Sequence, residues 1–180
     1  MGEFLNHSLQ FEKLPWSDRR TFAGTPRKVL LRGGTVLYRF VTYAEDRRDP
    51  SYRLPSPFWL PKETYEELGR LQKETDVPMA ELVRGTLAVA FDFKSAISGL
   101  MRGRLCRGAW ALRGTIAAQP MLGRGNKELA KTRPGPLKNI SGPGGLEQVY
   151  VPNLEWGDLF DVGVVPLGRE GSARFLFDQA

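Results

Sequence analysis

Glycine and proline interrupt this chain so often that short strands and turns are favoured over a bundle of long helices. The chain contains 20 glycines and 13 prolines, which cluster at positions 24–34, 50–61 and 134–145. Both residue types end regular elements and form turns. Hydrophobic residues make up 41% of the 180 positions, which is enough for the core of one domain. The sequence therefore predicts a single domain built largely from short elements.

The order of the predicted elements indicates the α+β class. The run RKVLLRGGTVLYRFVTYA predicts two strands around Gly33 and Gly34, because its residues suit a pleated surface. A first helix is expected to begin at Pro61, and a second one follows the break at 76–78. Both helices should cover one side of a sheet. Further strands are predicted over 108–120 and in two or three segments from 147 onwards.

The two ends of the chain and its basic loop complete the predicted organisation. We expect residues 1–26 to form an N-terminal arm laid over a single domain that spans 27–180. Residues 121–145 are rich in Gly, Pro and basic residues and predict a long loop, which in a compact domain is usually functional or disordered. No stretch approaches the roughly 20 apolar residues of a membrane span. The N-terminus also lacks the pattern of a secretory signal peptide.

Several kinds of enzyme chemistry are excluded because their residues are missing. The chain has one cysteine, Cys106, and one histidine, His7. An intrachain disulfide, a multi-cysteine zinc site, a Ser–His–Asp triad and a Cys–His pair therefore cannot form. No phosphate-binding loop of the G-x-x-x-x-G-K-[ST] type occurs. We expect no metal site and a reducing compartment.

The formal net charge of +6 favours an anionic partner. Such a partner could be a nucleic acid, a dinucleotide or an acidic protein surface. The excess charge is concentrated in two groups, which are Arg102, Arg104, Arg107 and Arg113, then Arg124, Lys127, Lys131, Arg133 and Lys138. Composition alone leaves two interpretations open, a binding patch or a solvated face that keeps the protein soluble.

Arg39 is the most informative single residue. It interrupts an apolar strand face, where a guanidinium costs several kcal/mol unless it is paired. An anionic ligand such as a dinucleotide pyrophosphate would suit it, because the planar fork engages phosphate oxygens bidentately. The alternatives are exposure at a sheet edge or an internal salt bridge to an acidic residue near the C-terminus, namely Glu147, Asp158 or Asp161.

Two later segments add candidate site residues. In Ser56-Pro57-Phe58-Trp59, aromatic rings follow a proline-fixed turn and could stack on a flat cationic ring, or could simply plug the core. In the segment 142–153, glycines precede a strand that carries Glu147 and Gln148 on opposite faces. Either side chain could hydrogen-bond ribose hydroxyls, and Glu147 could stabilise a developing ribosyl cation.

Five segments then follow one another in a familiar order, and they are LYRF (37–40), SPFW (56–59), LVRGTLAVAFDF (82–93), AWALRGTIAAQ (109–119) and GPGGLEQVYVPN (142–153). This order resembles small bacterial toxins of the ADP-ribosyltransferase superfamily and the related NAD glycohydrolase toxins. The resemblance implies a split β-sheet core with two short helices on one side. The implied NAD-binding residues are Arg39, Ser56, Phe58, Trp59 and Gln119, and the implied catalytic residues are Glu147 and Gln148.

The chain departs from that family at two places. It has no Ser-Thr-Ser strand, and Glu147 and Gln148 are adjacent where the family has a pair separated by one residue. The family's first carboxylate or amide usually positions the acceptor, so arginine-targeted transfer lacks its usual residue.

The resemblance implies an NAD-consuming toxin that breaks the nicotinamide–ribose bond. It implies mono-ADP-ribosyl transfer to a protein or nucleic acid, or NAD hydrolysis if water is the acceptor. It further implies delivery into the cytoplasm of a target cell by a specialised secretion system, and a cognate immunity protein. We expect a monomer without membrane association. The competing hypotheses are a non-enzymatic basic nucleic-acid-binding module and a catalytically inactive form of the same fold.

Overall fold

The computed structural model describes residues 4–41, 56–87, 97–117 and 146–167. These residues form an α+β architecture with two antiparallel sheets and few helices. The strands are β1 (Arg27–Leu31), β2 (Val36–Val41), β3 (Phe58–Trp59), β4 (Gly99–Leu105), β5 (Ala109–Thr115), β6 (Glu147–Tyr150) and β7 (Leu159–Pro166). The helices are α1 (Trp16–Arg19), α2 (Lys62–Thr75) and α3 (Met79–Thr86), with short 3-10 turns at Phe11–Lys13 and Trp156–Asp158.

The strands divide between a first sheet of order β1-β5-β6-β3 and a second sheet of order β2-β4-β7. The two strands predicted around the glycine pair are confirmed, but they belong to different sheets. The turn between them contains Gly34, whose positive φ of 84° suits a residue without a Cβ. The Gly34 N–H donates to the Leu105 carbonyl at 2.7 Å, so the turn that leads from the first sheet to the second is hydrogen-bonded to the end of β4.

The short strand β3 joins the two sheets. Trp59 pairs with Val149 of β6 in the first sheet. The next residue, Leu60, exchanges backbone hydrogen bonds of 2.8 and 3.0 Å with Tyr38 of β2 in the second sheet. The strands β2 and β6 therefore lie on either side of β3.

The facing sides of the two sheets form the main core, which we call the inter-sheet layer. Side chains alternate along each strand, so every second residue of β2, β4, β5 and β6 enters this layer. Its buried members are Leu37, Trp59, Met101, Leu105, Ala109, Ala111, Val149, Val151, Leu154 and Leu159. Alanines on β5 let the two sheets approach closely.

The two predicted helices are confirmed, and both cover the other side of the second sheet. The Tyr65 ring of α2 stacks on Tyr38 of β2, with ring centroids 4.2 Å apart. Leu68 of α2 and Val83 of α3 are fully buried in the same cluster. The break between the helices comes at Asp76, which takes a left-handed conformation with φ 54°. Among the described residues, no helix is both long and apolar enough to cross a membrane.

The N-terminal segment lies against the outer face of the first sheet. Leu9 and Phe22 are buried there against Leu112 of β5 and Tyr150 of β6. The backbone also pairs with the sheet, since the Leu5 N–H donates to the Gly108 carbonyl at 3.0 Å. The outer face is therefore covered by the chain's own N-terminal residues.

Candidate functional site

Arg39 faces the inter-sheet layer. It lies between Leu37 and Val41 on one side of β2 and opposite Met101 of β4. The residue is half-buried, and this burial lowers the pKa of its guanidinium. Within the described part of the chain, no hydrogen-bond or ion-pair partner engages the guanidinium, and its nitrogens are not among the buried polar atoms that lack a partner. The setting predicted from the sequence, a cation on a largely apolar face, is thus what the fold contains.

The acids that could have formed an internal salt bridge with Arg39 bind other arginines. Asp158 accepts from Arg107 at 2.9 and 3.1 Å. Asp161 accepts from Arg102 and Arg104, each at 3.1 Å. Glu147 is held by Arg113. All three carboxylates are therefore engaged elsewhere. The other alternative, exposure at a sheet edge, agrees with the half-buried side chain and with the position of β2 at the edge of the second sheet.

Glu147 begins β6 and also faces the inter-sheet layer, two residues before the buried Val149. Its Oε2 accepts from the Arg113 Nε at 2.7 Å, and the Arg113 Nη2 lies 2.6 Å from the same oxygen. Its Oε1 has a longer contact of 3.4 Å with the Nη2 of Arg27. The backbone is fixed as well, because the Thr64 hydroxyl of α2 donates to the Glu147 carbonyl at 2.8 Å.

Gln148 has the opposite orientation, as strand alternation requires. Its side chain lies on the outer face, buried under the N-terminal segment. The amide Nε2 donates to the Thr21 carbonyl at 3.0 Å and lies 3.1 Å from the Thr21 hydroxyl oxygen. Of the two adjacent candidates, only Glu147 shares the layer that contains Arg39.

The rings of Phe58 and Trp59 also separate onto opposite faces. Phe58 is half-buried and packs edge-on against Tyr150 on the outer face, with ring centroids 5.0 Å apart. Trp59 is 1% exposed in the inter-sheet layer. Its indole Nε1 is buried with no hydrogen-bond partner among the described residues. The Ser56 hydroxyl accepts the Phe58 N–H at 3.3 Å and so shapes the turn before β3.

An open cavity of about 240 Å³ lies beside Glu147 at one end of the first sheet. Residues 23–27 form one wall, and residues 113–115 form another. Its charged groups are Arg27, Arg113 and Glu147. A polar group of a substrate that enters this cavity would meet the Glu147 carboxylate directly, whereas neither Arg39 nor Trp59 lines the cavity.

Two further expectations from the sequence concern Gln119 as an NAD-binding residue and the metal content of the site. Gln119 lies outside the described residues. Within the described ranges, no group of three or more His, Cys, Asp or Glu side chains is placed to hold a metal ion.

Sequence reasoning missed Arg113 as a partner of Glu147. Arg113 pairs with Val149 in the β5–β6 register, so it lies diagonally across from Glu147 on the same face. Alternation along β5 places Arg113 on the same face as Ala111 and Thr115, but the partner strand cannot be known from the sequence. The missing information was the register of β5 and β6.

Comparisons with known proteins give one weak structural similarity. No family model matches the chain, and no curated protein matches it in sequence. The chain is similar in structure to Rhs1-CT, solved in complex with its cognate immunity protein RhsI1, with a TM-score of 0.42 and 15% identity. That alignment covers 79% of this chain and 77% of the other. At this TM-score the similarity carries no argument about fold or function.

Proposed function

We propose that this chain binds NAD at the edge of the inter-sheet layer, beside the cavity that Glu147 lines, and breaks the nicotinamide–ribose bond. The observation that carries the proposal is Arg39, a half-buried cation without a partner among the described residues. A desolvated and unpaired charge is costly, and such groups concentrate at binding sites. We further propose, from the family resemblance, that the two sheets correspond to the split β-sheet of the ADP-ribosyltransferase superfamily.

The proposed ligand contacts follow from the side chains of the inter-sheet layer. The Arg39 guanidinium binds the NAD diphosphate through two parallel N–H donors. The Trp59 edge lies in the same layer, one strand away from Arg39. Its Nε1 is buried without a described partner, so this donor becomes available to a ligand only if side chains of the layer move.

Glu147 is the proposed catalytic residue. As the nicotinamide–ribose bond stretches, positive charge develops on the ribose, and a preoriented carboxylate stabilises it. Nicotinamide leaves as a neutral molecule from a cationic ring, so the reaction needs no strong general acid. This chemistry suits a chain whose one histidine, His7, is remote from Glu147 in sequence.

For the acceptor, we favour water, which makes the chain an NAD glycohydrolase. Gln148, the second candidate for positioning an acceptor, lies on the outer face and is bonded to Thr21. The arginine cluster of 102–113 is also engaged by the chain's own acids. Transfer of ADP-ribose to a macromolecule is the second candidate, favoured by the basic segment 121–145.

The same arginine pairing weakens the hypothesis of a non-enzymatic nucleic-acid-binding module. A phosphate backbone needs cations that are free to exchange their counterions. Arg102 and Arg104 instead share Asp161, and Arg107 binds Asp158. NAD consumption inside a target cell would be toxic, so we propose a toxin effector that is delivered by a specialised secretion system and neutralised by an immunity protein.

The deciding experiment follows label from NAD. The purified chain is incubated with adenine-labelled NAD, with and without cell lysate, and nicotinamide, free ADP-ribose and precipitable label are measured separately. We expect nicotinamide and free ADP-ribose in equal amounts without lysate. Label on macromolecules would identify transfer. The absence of nicotinamide release under both conditions would overturn the proposal.

A further inference from the structure

We infer that Arg113 is a positioning residue that fixes the orientation of the Glu147 carboxylate for the reaction. The inference rests on the proposed NAD cleavage and deepens it. The Arg113 contacts occur at the same oxygen, with Nε at 2.7 Å and Nη2 at 2.6 Å from Oε2. Two donors from one rigid plane restrict rotation of the carboxylate more strongly than a single point charge does.

The other carboxylate oxygen is left for a substrate. Oε1 has a 3.4 Å contact with Arg27, whose side chain is 75% exposed and therefore easily displaced. Glu147 also lines the open cavity of about 240 Å³, which has room for several water molecules or a small polar ring. Anchoring Oε2 on Arg113 therefore presents Oε1 to that space.

The first turn of α2 supports this arrangement from the other side. The buried Thr64 donates to the backbone carbonyl of Glu147. Its neighbour Glu63 lies 3.5 Å from the Nη2 of Arg113. Thr64 thus fixes the main chain of Glu147, and Glu63, whose side chain is 69% exposed, adds a weak contact to Arg113.

Charge balance explains why an arginine can fill this role without neutralising the site. Arg113 alone would oppose the cation that forms on the ribose. Glu63 offsets part of that charge, and Arg27, whose side chain is 75% exposed, can turn away from Oε1 into solvent. The arginine consequently contributes orientation, and Glu147 contributes the stabilising charge.

The test compares two arginine-to-lysine variants that keep the net charge. Arg113→Lys loses the two-donor contact with Glu147. Arg104→Lys is the matched control, because Arg104 also pairs with a carboxylate, but on the opposite sheet at Asp161. Nicotinamide release is measured over a range of NAD concentrations, and melting temperatures are recorded for both variants.

We expect Arg113→Lys to lower kcat by about 10- to 100-fold, since small misplacements of a reacting group have effects of this order. KM and the melting temperature should change little, and Arg104→Lys should match the wild type. An unchanged kcat in Arg113→Lys, with an active wild type, would overturn the positioning role and leave NAD cleavage intact. A wild type that releases no nicotinamide would overturn both proposals.

A second variant keeps the inference testable if Arg113→Lys does not fold. Glu63→Gln removes the outer partner of Arg113 and leaves Glu147 and Arg113 in place. A fall in kcat without a change in KM supports the inference. A kcat equal to that of the wild type contradicts it.

Discussion

The buried polar groups on the two faces of the first sheet differ in how many of them have hydrogen-bond partners. On the outer face, Gln148 donates to the Thr21 backbone, and the Tyr150 hydroxyl donates to Asp18 at 2.8 Å. In the inter-sheet layer, Arg39 and the indole Nε1 of Trp59 have no partners among the described residues. The polar side chains of β6 on the outer face are therefore satisfied within the chain, although the Arg19 Nε of the covering segment is a buried donor without a described partner, as is the Trp59 Nε1 in the inter-sheet layer.

The difference separates what stabilises the fold from what is available for binding. A buried donor left without an acceptor costs about 1–3 kcal/mol, and an unpaired charge costs more. Groups of this kind persist where a ligand supplies the missing acceptor, and stability is commonly lower at such sites. Substitutions on the outer face should thus change stability, and substitutions in the inter-sheet layer should change NAD turnover.

The largest expected effect is on the proposed catalytic residue. Glu147→Gln keeps the size of the side chain and removes the charge that stabilises the ribosyl cation. We expect kcat for nicotinamide release to fall by about 10²- to 10³-fold, as it does when one preorganised electrostatic group is removed elsewhere. Turnover within twofold of the wild type would show that the carboxylate forms only a structural ion pair.

Arg39→Met should separate turnover from stability. Loss of the diphosphate contact is expected to lower kcat/KM by about 10- to 100-fold, equivalent to about 1.4–2.8 kcal/mol. The free energy of unfolding should stay about the same, because the half-buried guanidinium has no described partner to lose. Both quantities are measured on the same preparation, by nicotinamide release and urea unfolding.

The matched control is Arg107→Met, which also removes one guanidinium. Arg107 binds Asp158, whose side chain is only 11% exposed. This variant removes the cation from a largely buried carboxylate that keeps only the Glu155 N–H as a donor, so we expect it to lower stability by about 1–3 kcal/mol while turnover is retained. If Arg39→Met behaved like Arg107→Met, Arg39 would be a structural residue.

Gln148→Leu tests the outer face at its central polar group. The substitution removes the hydrogen bonds from Gln148 to Thr21, whose carbonyl keeps the Ala117 N–H as a donor at 2.8 Å. We expect a loss of about 1–2 kcal/mol in unfolding experiments, with kcat for NAD within twofold of the wild type. A large fall in kcat at unchanged stability would move the catalytic assignment from Glu147 to Gln148.

Tyr150→Phe should have the smallest effect, about 1 kcal/mol at neutral pH, through loss of one hydrogen bond to Asp18. Burial, together with that hydrogen bond and the Asp18 charge, raises the pKa of Tyr150 above its usual value. Above about pH 10 the unfolded chain releases this proton while the folded chain keeps it, so stability declines as pH rises. Urea unfolding at neutral and alkaline pH should show a smaller decline for the variant.

The sequence predicted the elements better than their arrangement. Local patterns identified the strands around Gly33 and Gly34 and both helices, because periodicity and turn residues act over a few positions. Whether β1 and β2 share a sheet depends on pairing with β5 and β4, which are distant in the chain. That information is carried by tertiary contacts and is absent from any short window.

For the candidate site too, the sequence predicted the residues better than their arrangement. The cationic character of the β2 face at Arg39 could be inferred from its apolar neighbours. Alternation showed that Glu147 and Gln148 point in opposite directions, but not which of them faces the second sheet. Recognition of Arg113 required the β5–β6 register. The site was therefore predictable as residue types, while its geometry depended on how the strands associate.

The central claim, that the inter-sheet layer binds NAD through Arg39, is tested most directly by equilibrium titration. NAD is titrated into Glu147→Gln, in which turnover is suppressed, and into the double variant that also contains Arg39→Met. We predict saturable binding to the single variant and an affinity at least about 10-fold weaker for the double variant. Equal affinity for the two proteins, or no binding to either, would contradict the claim.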